Sequence, residues 1–239
     1  MIFAAHRGLH GQHPENSLAA FRAAWEAGIQ WCECDVHFCA GGEAVVLHDE
    51  TLERTTGGSG RVADLLPQDL QRYKLIGSDQ SPPMLAEVVR AMPAGARLMI
   101  EVKPPSVSKA FLELMANVPT DKVLIQSFHE SVLEEMVDYA KDFPLAILID
   151  DAGKIDRAAR GKWPAVHLDH KLLTAVIADD LRRAGKNIGV WTVNDLPEIQ
   201  RVLSLGAQTV ISDMPPDILK FASGRDRGRE TPGSQKSAD

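Results

Sequence analysis

Cys32-Glu33-Cys34-Asp35-Val36 is followed, after a Gly41-Gly42 turn signal, by Val45-Val46-Leu47-His48-Asp49. Both runs are short, rich in apolar residues and bounded by turn residues, and both read as strands. Side chains alternate across a strand, so Glu33 and Asp35 share one face while Cys32 and Cys34 share the other. Two carboxylates on one face of an otherwise apolar strand are costly unless positive charge sits between them. A divalent cation is the simplest source of that charge. His48, at the end of the next apolar run, brings an imidazole to the same end of the sheet. The cysteines then pack against a helix as small apolar groups.

Outward from this stretch the chain alternates strands with helices. Apolar runs at residues 2–5, 32–36, 97–102, 123–126, 145–149, 165–168, 188–193 and 209–212 read as eight strands, with 44–47 as an additional extended run. Leu18, Phe21 and Trp25 fall at helical spacing, capped by Asn16 or Ser17 and stopped by Gly28. Further helices are expected at residues 84–92, 106–117, 130–141, 151–160, 172–184, 196–205 and 216–222. Strand–helix alternation implies a parallel sheet. Eight units favour closure as an α/β (β/α)8 TIM barrel over a doubly wound open sheet.

Residues 51–83 are irregular and polar, with room for one short helix at 65–73. They read as a small insertion after the second strand, too short to bury a core of their own. The expected organisation is one barrel domain over 1–223 and a disordered polar tail over 224–239, rich in Gly, Arg and Ser.

The formal net charge is −7 and no long basic run occurs, which argues against nucleic acid as a partner. No stretch approaches the roughly 20 apolar residues of a membrane span. Met1 to Ala5 leads straight into His6-Arg7 without the pattern of a secretory signal, so a cytoplasmic location is expected. Cys32 and Cys34 are too close along a strand for an unstrained bridge, which suits a reducing compartment. No second cysteine pair completes a zinc set around them. Oligomeric state leaves no trace in the sequence.

In such a barrel the active site lies at the C-terminal ends of the strands. The polar residues there are His6 and Arg7, Glu33 and Asp35, Glu101 and Lys103, Gln126 and Ser127, then His167, Asp169, Trp191, Asn194 and Asp213. If Glu33, Asp35 and Glu101 face the interior, they converge as a hard-oxygen site suited to Mg²⁺ or Ca²⁺. The same carboxylates can instead be neutralised by Arg7 and Lys103 with no metal present. Arg7 and Lys103 also suit a phosphate, and His6 with His48 supply a general acid and a general base. Together this is the inventory of metal-assisted phosphodiester cleavage. His10, His13, His37, His129, His167 and His170 are expected to be structural or loop residues.

These residues fall in an order that resembles the glycerophosphodiester phosphodiesterase family, and the resemblance covers nearly the whole chain. Ala5-His6-Arg7-Gly8 with Pro14-Glu15-Asn16 is similar to its first motif. Glu33-x-Asp35-Val36, Val45-Val46-Leu47-His48-Asp49 and Leu52-x-Arg54-Thr55-Thr56 are similar to its second. Glu101-Val102-Lys103, Ser127-Phe128, Val190-Trp191-Thr192-Val193-Asn194 and Ile211-Ser212-Asp213 match later strand ends. The short length of the 51–83 segment resembles the smaller cytoplasmic bacterial members. The family resemblance implies a phospholipase-C-like barrel with an insertion after the second strand. It implies a divalent metal on Glu33, Asp35 and Glu101, an acid/base pair in His6 and His48, phosphate held by Arg7 and Lys103, and Trp191 against the glycerol side. The implied reaction is hydrolysis of a glycerophosphodiester to glycerol 3-phosphate and an alcohol. Cys39 and Gly41-Gly42 stand where the family often has Thr and Asp-Gly, and Cys39 is expected near the site. Two rivals stand beside this reading: a sphingomyelinase-D-like phospholipase, and a non-catalytic glycerophosphodiester-binding module.

Overall fold

The computed structural model describes residues 1–139 and 142–223. Its strands are β1 (Ile2–Ala5), β2 (Trp31–Phe38), β3 (Ala44–Val46), β4 (Arg97–Val102), β5 (Val123–Ser127), β6 (Leu145–Ile149), β7 (Ala165–Asp169), β8 (Asn187–Trp191) and β9 (Thr209–Ser212). All but β3 are parallel, and they pair β1-β2-β4-β5-β6-β7-β8-β9 and back to β1, so the sheet closes on itself as an eight-stranded barrel. β3 hangs antiparallel on the far end of β2, with Val36 opposite Val46. That pairing carries β2 through Phe38, beyond the residues whose apolar alternation marks it in the sequence.

Helices lie between the strands: α1 (Leu18–Glu26), α2 (Glu53–Thr56), α3 (Pro67–Leu70), α4 (Leu85–Ala91), α5 (Lys109–Met115), α6 (Glu130–Asp138), α7 (Ile155–Arg160), α8 (Ala175–Arg183), α9 (Leu196–Ser204) and α10 (Pro216–Ala222). Caps set several of their starts. Ser17 Oγ accepts from the Ala20 N–H and begins α1, which settles the choice between Asn16 and Ser17. Thr174 Oγ1 accepts from the Ile177 N–H, so α8 starts after a 3₁₀ turn at His170–Leu172. The expected helix over 151–160 likewise opens with a 3₁₀ turn at Ala152–Lys154. The last residues expected of the helix at 130–141 include 140 and 141, which lie outside the described residues, as does the expected tail at 224–239.

The core has two layers. Outside the barrel, Cys32, Cys34, Val36, Leu98, Ile100 and Val102 are buried in one cluster with Phe21, Phe111 and Met115 of the helices. Each large side chain buried there stabilises the fold by about 1.5–3 kcal/mol. Inside the barrel, Ala4, Met99, Leu124, Ala146, Ala165 and Ile211 form a separate cluster beneath the polar residues. This is the alternation expected at Cys32–Asp35, with the thiols outward and the carboxylates inward.

Residues 51–83 carry α2, a 3₁₀ turn at Val62–Asp64 and α3, where one short helix at 65–73 is expected. They share a third buried cluster with the β2–β3 hairpin, in which Leu52, Val62 and Leu70 pack on Cys39, Val45 and Leu47. The segment is too short to bury a core alone, but β3 lends it an apolar face. Cys39 belongs to this cluster, and its Sγ faces Glu43 Oε2 at 3.3 Å. Its surroundings are therefore packing and a local turn, and it does not line the cavity at the strand ends.

Candidate active site

Glu33 and Asp35 leave β2 on its inward face, and Glu101 enters from β4 directly opposite Asp35 in the strand register. All three are buried. Each offers a carboxylate oxygen, and these atoms lie within 4.8 Å of one another. Lys103 Nζ sits 2.9 Å from Asp35 Oδ1 and 2.6 Å from Glu101 Oε1. Arg7 Nε lies 3.1 Å from Asp35 Oδ2, and the Arg7 backbone N–H donates to Glu33 Oε2 at 3.1 Å.

Local backbone makes these contacts available. Arg7 and Gly8 both have positive φ, 54° and 78°, as the chain turns sharply off β1. Gly8 also presses on α1: a Cβ there would stand 2.6 Å from the Ala20 carbonyl carbon. Asn16, at φ 58°, turns its side chain inward. Its Nδ2 donates to Asp35 Oδ2 at 2.8 Å, and its Oδ1 accepts from the Asp35 N–H at 3.3 Å.

The charges do not balance evenly. Burial opposes ionisation of Asp35, but Lys103 and Arg7 overcome it and hold its carboxyl well below the usual range. Glu33 is pushed well above that range by burial and by the charges of Asp35 and Glu101. Burial and Asp35 raise Glu101 to about 7. The two cations thus keep one carboxylate ionised and leave the other two in deficit. Asp35 Oδ1 and Glu101 Oε1 are buried without a well-aligned hydrogen bond, although the Lys103 ammonium is close. A surplus of buried carboxylate charge, in an all-oxygen donor set, fits a hard divalent cation.

Two imidazoles border the same cavity, each tethered through Nδ1 to an aspartate. His6 Nδ1 is 2.6 Å from Asp213 Oδ1, and His48 Nδ1 is 2.6 Å from Asp49 Oδ1. His37 Nε2 donates to the His48 carbonyl at 3.0 Å and steadies that loop. Burial lowers the His48 pKa, against the raising effect of Asp35 and Asp49. Arg54 of α2 donates through Nε to Asp49 Oδ2 at 2.6 Å and through Nη1 to Glu15 Oε2 at 2.9 Å. Glu15 in turn accepts from Arg7 Nη1 at 3.0 Å. A continuous chain of charges therefore runs from His48 through Asp49, Arg54, Glu15 and Arg7 to Asp35.

The cavity has a volume of about 190 Å³. His6, Arg7, Glu33, His48, Glu101 and Lys103 form its charged side, while Phe128, Leu148, Trp191 and Ile211 form an apolar one. The Trp191 and Phe128 rings meet edge to face at 5.6 Å. Below the cavity His167 is wholly enclosed, with Nδ1 2.8 Å from Gln126 Oε1, and Trp191 Nε1 donates to its carbonyl at 3.1 Å. Burial drives the His167 pKa down to about 4, so the ring is neutral.

All eight residues singled out from the sequence, His6, Arg7, Glu33, Asp35, His48, Glu101, Lys103 and Trp191, meet at this end of the barrel. Both ways of neutralising Asp35 therefore remain physically represented, since the ion pairs are present and still leave carboxylate charge over. Residues without an assigned role in the sequence also belong here: Glu15, Asn16, Asp49, Arg54 and Asp213. Asp49 follows His48 and Asp213 follows β9, while Glu15, Asn16 and Arg54 lie in the stretches Pro14-Glu15-Asn16 and Leu52-x-Arg54-Thr55-Thr56, so each carries a signal of position but not of partner. His10, expected to be a loop residue, reaches Asp213 Oδ1 with its Nε2 at 2.9 Å.

Residues 6–216 match the sequence model of the glycerophosphoryl diester phosphodiesterase family. A glycerophosphodiester phosphodiesterase from Bacillus altitudinis is 28% identical over 241 residues, covering 91% of this chain and 96% of that protein. The glycerophosphodiester phosphodiesterase of Thermotoga maritima superposes with a TM-score of 0.76 at 27% identity, covering 92% of this chain and 96% of the other. A phosphodiesterase from Oleispira antarctica, solved with the product sn-glycerol-3-phosphate, has a TM-score of 0.85 at 24% identity and covers 94% and 97% of the two chains. That last likeness speaks to the fold.

Proposed function

The chain belongs to the glycerophosphoryl diester phosphodiesterase family and is a phosphodiesterase of that class, and on that premise we propose that it hydrolyses glycerophosphodiesters to glycerol 3-phosphate and an alcohol with a divalent cation and two histidines. The observation that carries the reading is the pairing of two aspartate-tethered imidazoles with three buried carboxylates around one cavity. The product held by the Oleispira antarctica structure supports glycerol 3-phosphate as the product here.

Glu33, Asp35 and Glu101 would hold the cation, Mg²⁺ or Ca²⁺, which when bound neutralises charge on the phosphate oxygens. Arg7 and Lys103 face the same phosphate as fixed positive charges, already oriented by Asp35, Glu15 and Glu101, so little reorganisation accompanies the reaction. At both His6 and His48 the aspartate engages Nδ1 and leaves Nε2 to exchange protons. One Nε2 takes the proton of the nucleophile, a water or a neighbouring glycerol hydroxyl. The other gives a proton to the departing alcohol. The apolar wall of Trp191 and Phe128 packs against the glycerol carbons and excludes water from that side. No helix of the described residues is long and apolar enough to cross a membrane.

The test is release of glycerol 3-phosphate from glycerophosphocholine. Turnover should vanish in excess chelator and return with Mg²⁺ or Ca²⁺. Full turnover in chelator would overturn the metal assignment and leave Arg7 and Lys103 as the sole phosphate charges. Tight binding of glycerophosphocholine without turnover would favour the non-catalytic binding module.

A further inference from the structure

We propose that His6, His10 and Asp213 form a second cation site, suited to a borderline transition metal of the Zn²⁺ class, and that filling it silences the enzyme by withdrawing His6 from proton transfer. The silencing half rests on the role given to His6 above; the binding half does not.

The three donors already cluster. His6 Nδ1 and His10 Nε2 both approach Asp213 Oδ1, at 2.6 and 2.9 Å, and the three atoms lie within 4.8 Å of one another. Donors about 2.0–2.1 Å from a tetrahedral zinc stand about 3.3 Å apart. Each imidazole therefore needs to withdraw from the carboxylate by well under an ångström. Backbone contacts fix the approach, since the His6 N–H bonds the Ser212 carbonyl at 2.8 Å and so ties the end of β1 to the end of β9.

The carboxylate is held from behind. Asn194 Nδ2 donates to Asp213 Oδ2 at 2.6 Å, and the Asp213 N–H donates to Asn194 Oδ1 at 2.9 Å. This double clasp turns Oδ1 toward the two rings, the kind of outer support that orients metal ligands. The charge setting also differs from that of Asp35. No lysine or arginine ion pair to Asp213 is found among the described residues, whereas Asp35 carries two. A fourth position is open, because His10, Asn194 and Asp213 border a cleft of about 550 Å³. Three protein ligands with one open position is the arrangement that leaves zinc a water.

Donor chemistry separates the two sites. Glu33, Asp35 and Glu101 present oxygen alone and suit Mg²⁺ or Ca²⁺, while two nitrogens and one oxygen suit zinc and its neighbours. The consequence for His6 follows from its tautomer. With Asp213 accepting from Nδ1–H, the Nε2 lone pair is free to take a proton. A metal on Nδ1 needs that nitrogen's lone pair, so the ring proton moves to Nε2 and no proton is released. Nε2 is then the N–H of a neutral, metal-bound ring, which can neither take a proton as a base nor give up an imidazolium proton as an acid.

The experiment uses the full chain in saturating Mg²⁺. Co²⁺, as a visible stand-in for Zn²⁺, should produce the absorption of a four-coordinate site that Mg²⁺ does not displace. Zn²⁺ should inhibit glycerophosphocholine turnover at concentrations far below that of Mg²⁺. Loss of the ligand in His10→Gln should remove the Co²⁺ band and weaken Zn²⁺ inhibition by about a hundredfold or more; His10→Ala serves if that variant does not fold. In the unaltered protein, Zn²⁺ should shift the ring nitrogen resonances of His6 and His10 together. Displacement of Co²⁺ by Mg²⁺, equal inhibition of the His10 variants, or unmoved His6 and His10 resonances would each overturn the site. A Co²⁺ band in a protein with no turnover would instead sink the function proposed above and leave the site standing.

Discussion

Replacing His167 by Gln should change how stability depends on pH, by an amount that follows from where the ring sits. His167 is 1% exposed and its pKa is down to about 4 through burial, from an ordinary value of 6.5. A histidine depressed in the native state stays neutral there while the unfolded chain takes up a proton. Between pH 6.5 and 4 the unfolded state therefore binds more protons, and stability falls as the pH falls. The contribution is intact above pH 6.5 and is withdrawn progressively toward pH 4. At 1.36 kcal/mol per pKa unit, the shift amounts to about 3 kcal/mol. Gln has no proton to gain, so in His167→Gln this component disappears. The assay is urea unfolding across that pH range, reading the difference in unfolding free energy between the two proteins. Other groups titrate in both and cancel in the difference. The gap should close or reverse by about 3 kcal/mol on acidification, in favour of the variant. Parallel curves would refute the account of a neutral, enclosed His167.

Three further outcomes are expected. Gly189→Ala should destabilise the barrel by about 1–3 kcal/mol in urea, because its Cβ would stand 2.3 Å from His167 Cδ2; adding His167→Ala should relieve the clash and give a non-additive cycle. His6→Ala and His48→Ala should each lower kcat by about a hundredfold or more in steady-state turnover, the scale of a lost acid or base, and normal kcat in both would remove them from proton transfer. Arg54→Met should lower kcat by about ten- to a hundredfold with a smaller change in KM, since it releases Asp49 and Glu15 together, and Arg54→Lys should restore only part because one ammonium cannot span both carboxylates.

The barrel and the gathering of polar side chains at its mouth were legible in the sequence because both are matters of local period. Alternation in Cys32-Glu33-Cys34-Asp35 assigns carboxylates and thiols to opposite faces whatever the neighbouring strands do. Eight strand–helix units imply closure, and closure gathers strand-end residues at one rim. That logic reached His6, Arg7, Glu33, Asp35, Glu101, Lys103 and Trp191, and His48 followed from the apolar run that becomes β3. It could not reach partners, because a partner is a distance between segments far apart in the chain. Arg54 clasps Glu15 across 39 positions and His10 meets Asp213 across 203. Nothing in the period of either segment encodes those contacts. The 51–83 segment shows the same limit: its apolar residues are too few to bury themselves, and only the folded chain shows that β3 and Cys39 complete their core. Cys39, drawn toward the site by its place in the sequence, sits in that core instead. The tertiary structure also decided what the carboxylates experience. Their order along the chain foretells a shared face, but Lys103 and Arg7 at ion-pair distance hold Asp35 ionised while Glu33 and Glu101 remain in deficit. Sequence determined which groups line the barrel mouth, through the fixed geometry of a strand. Tertiary structure determined their charge, their tethers and their neighbours, because those depend on burial and on atoms brought together only by closure.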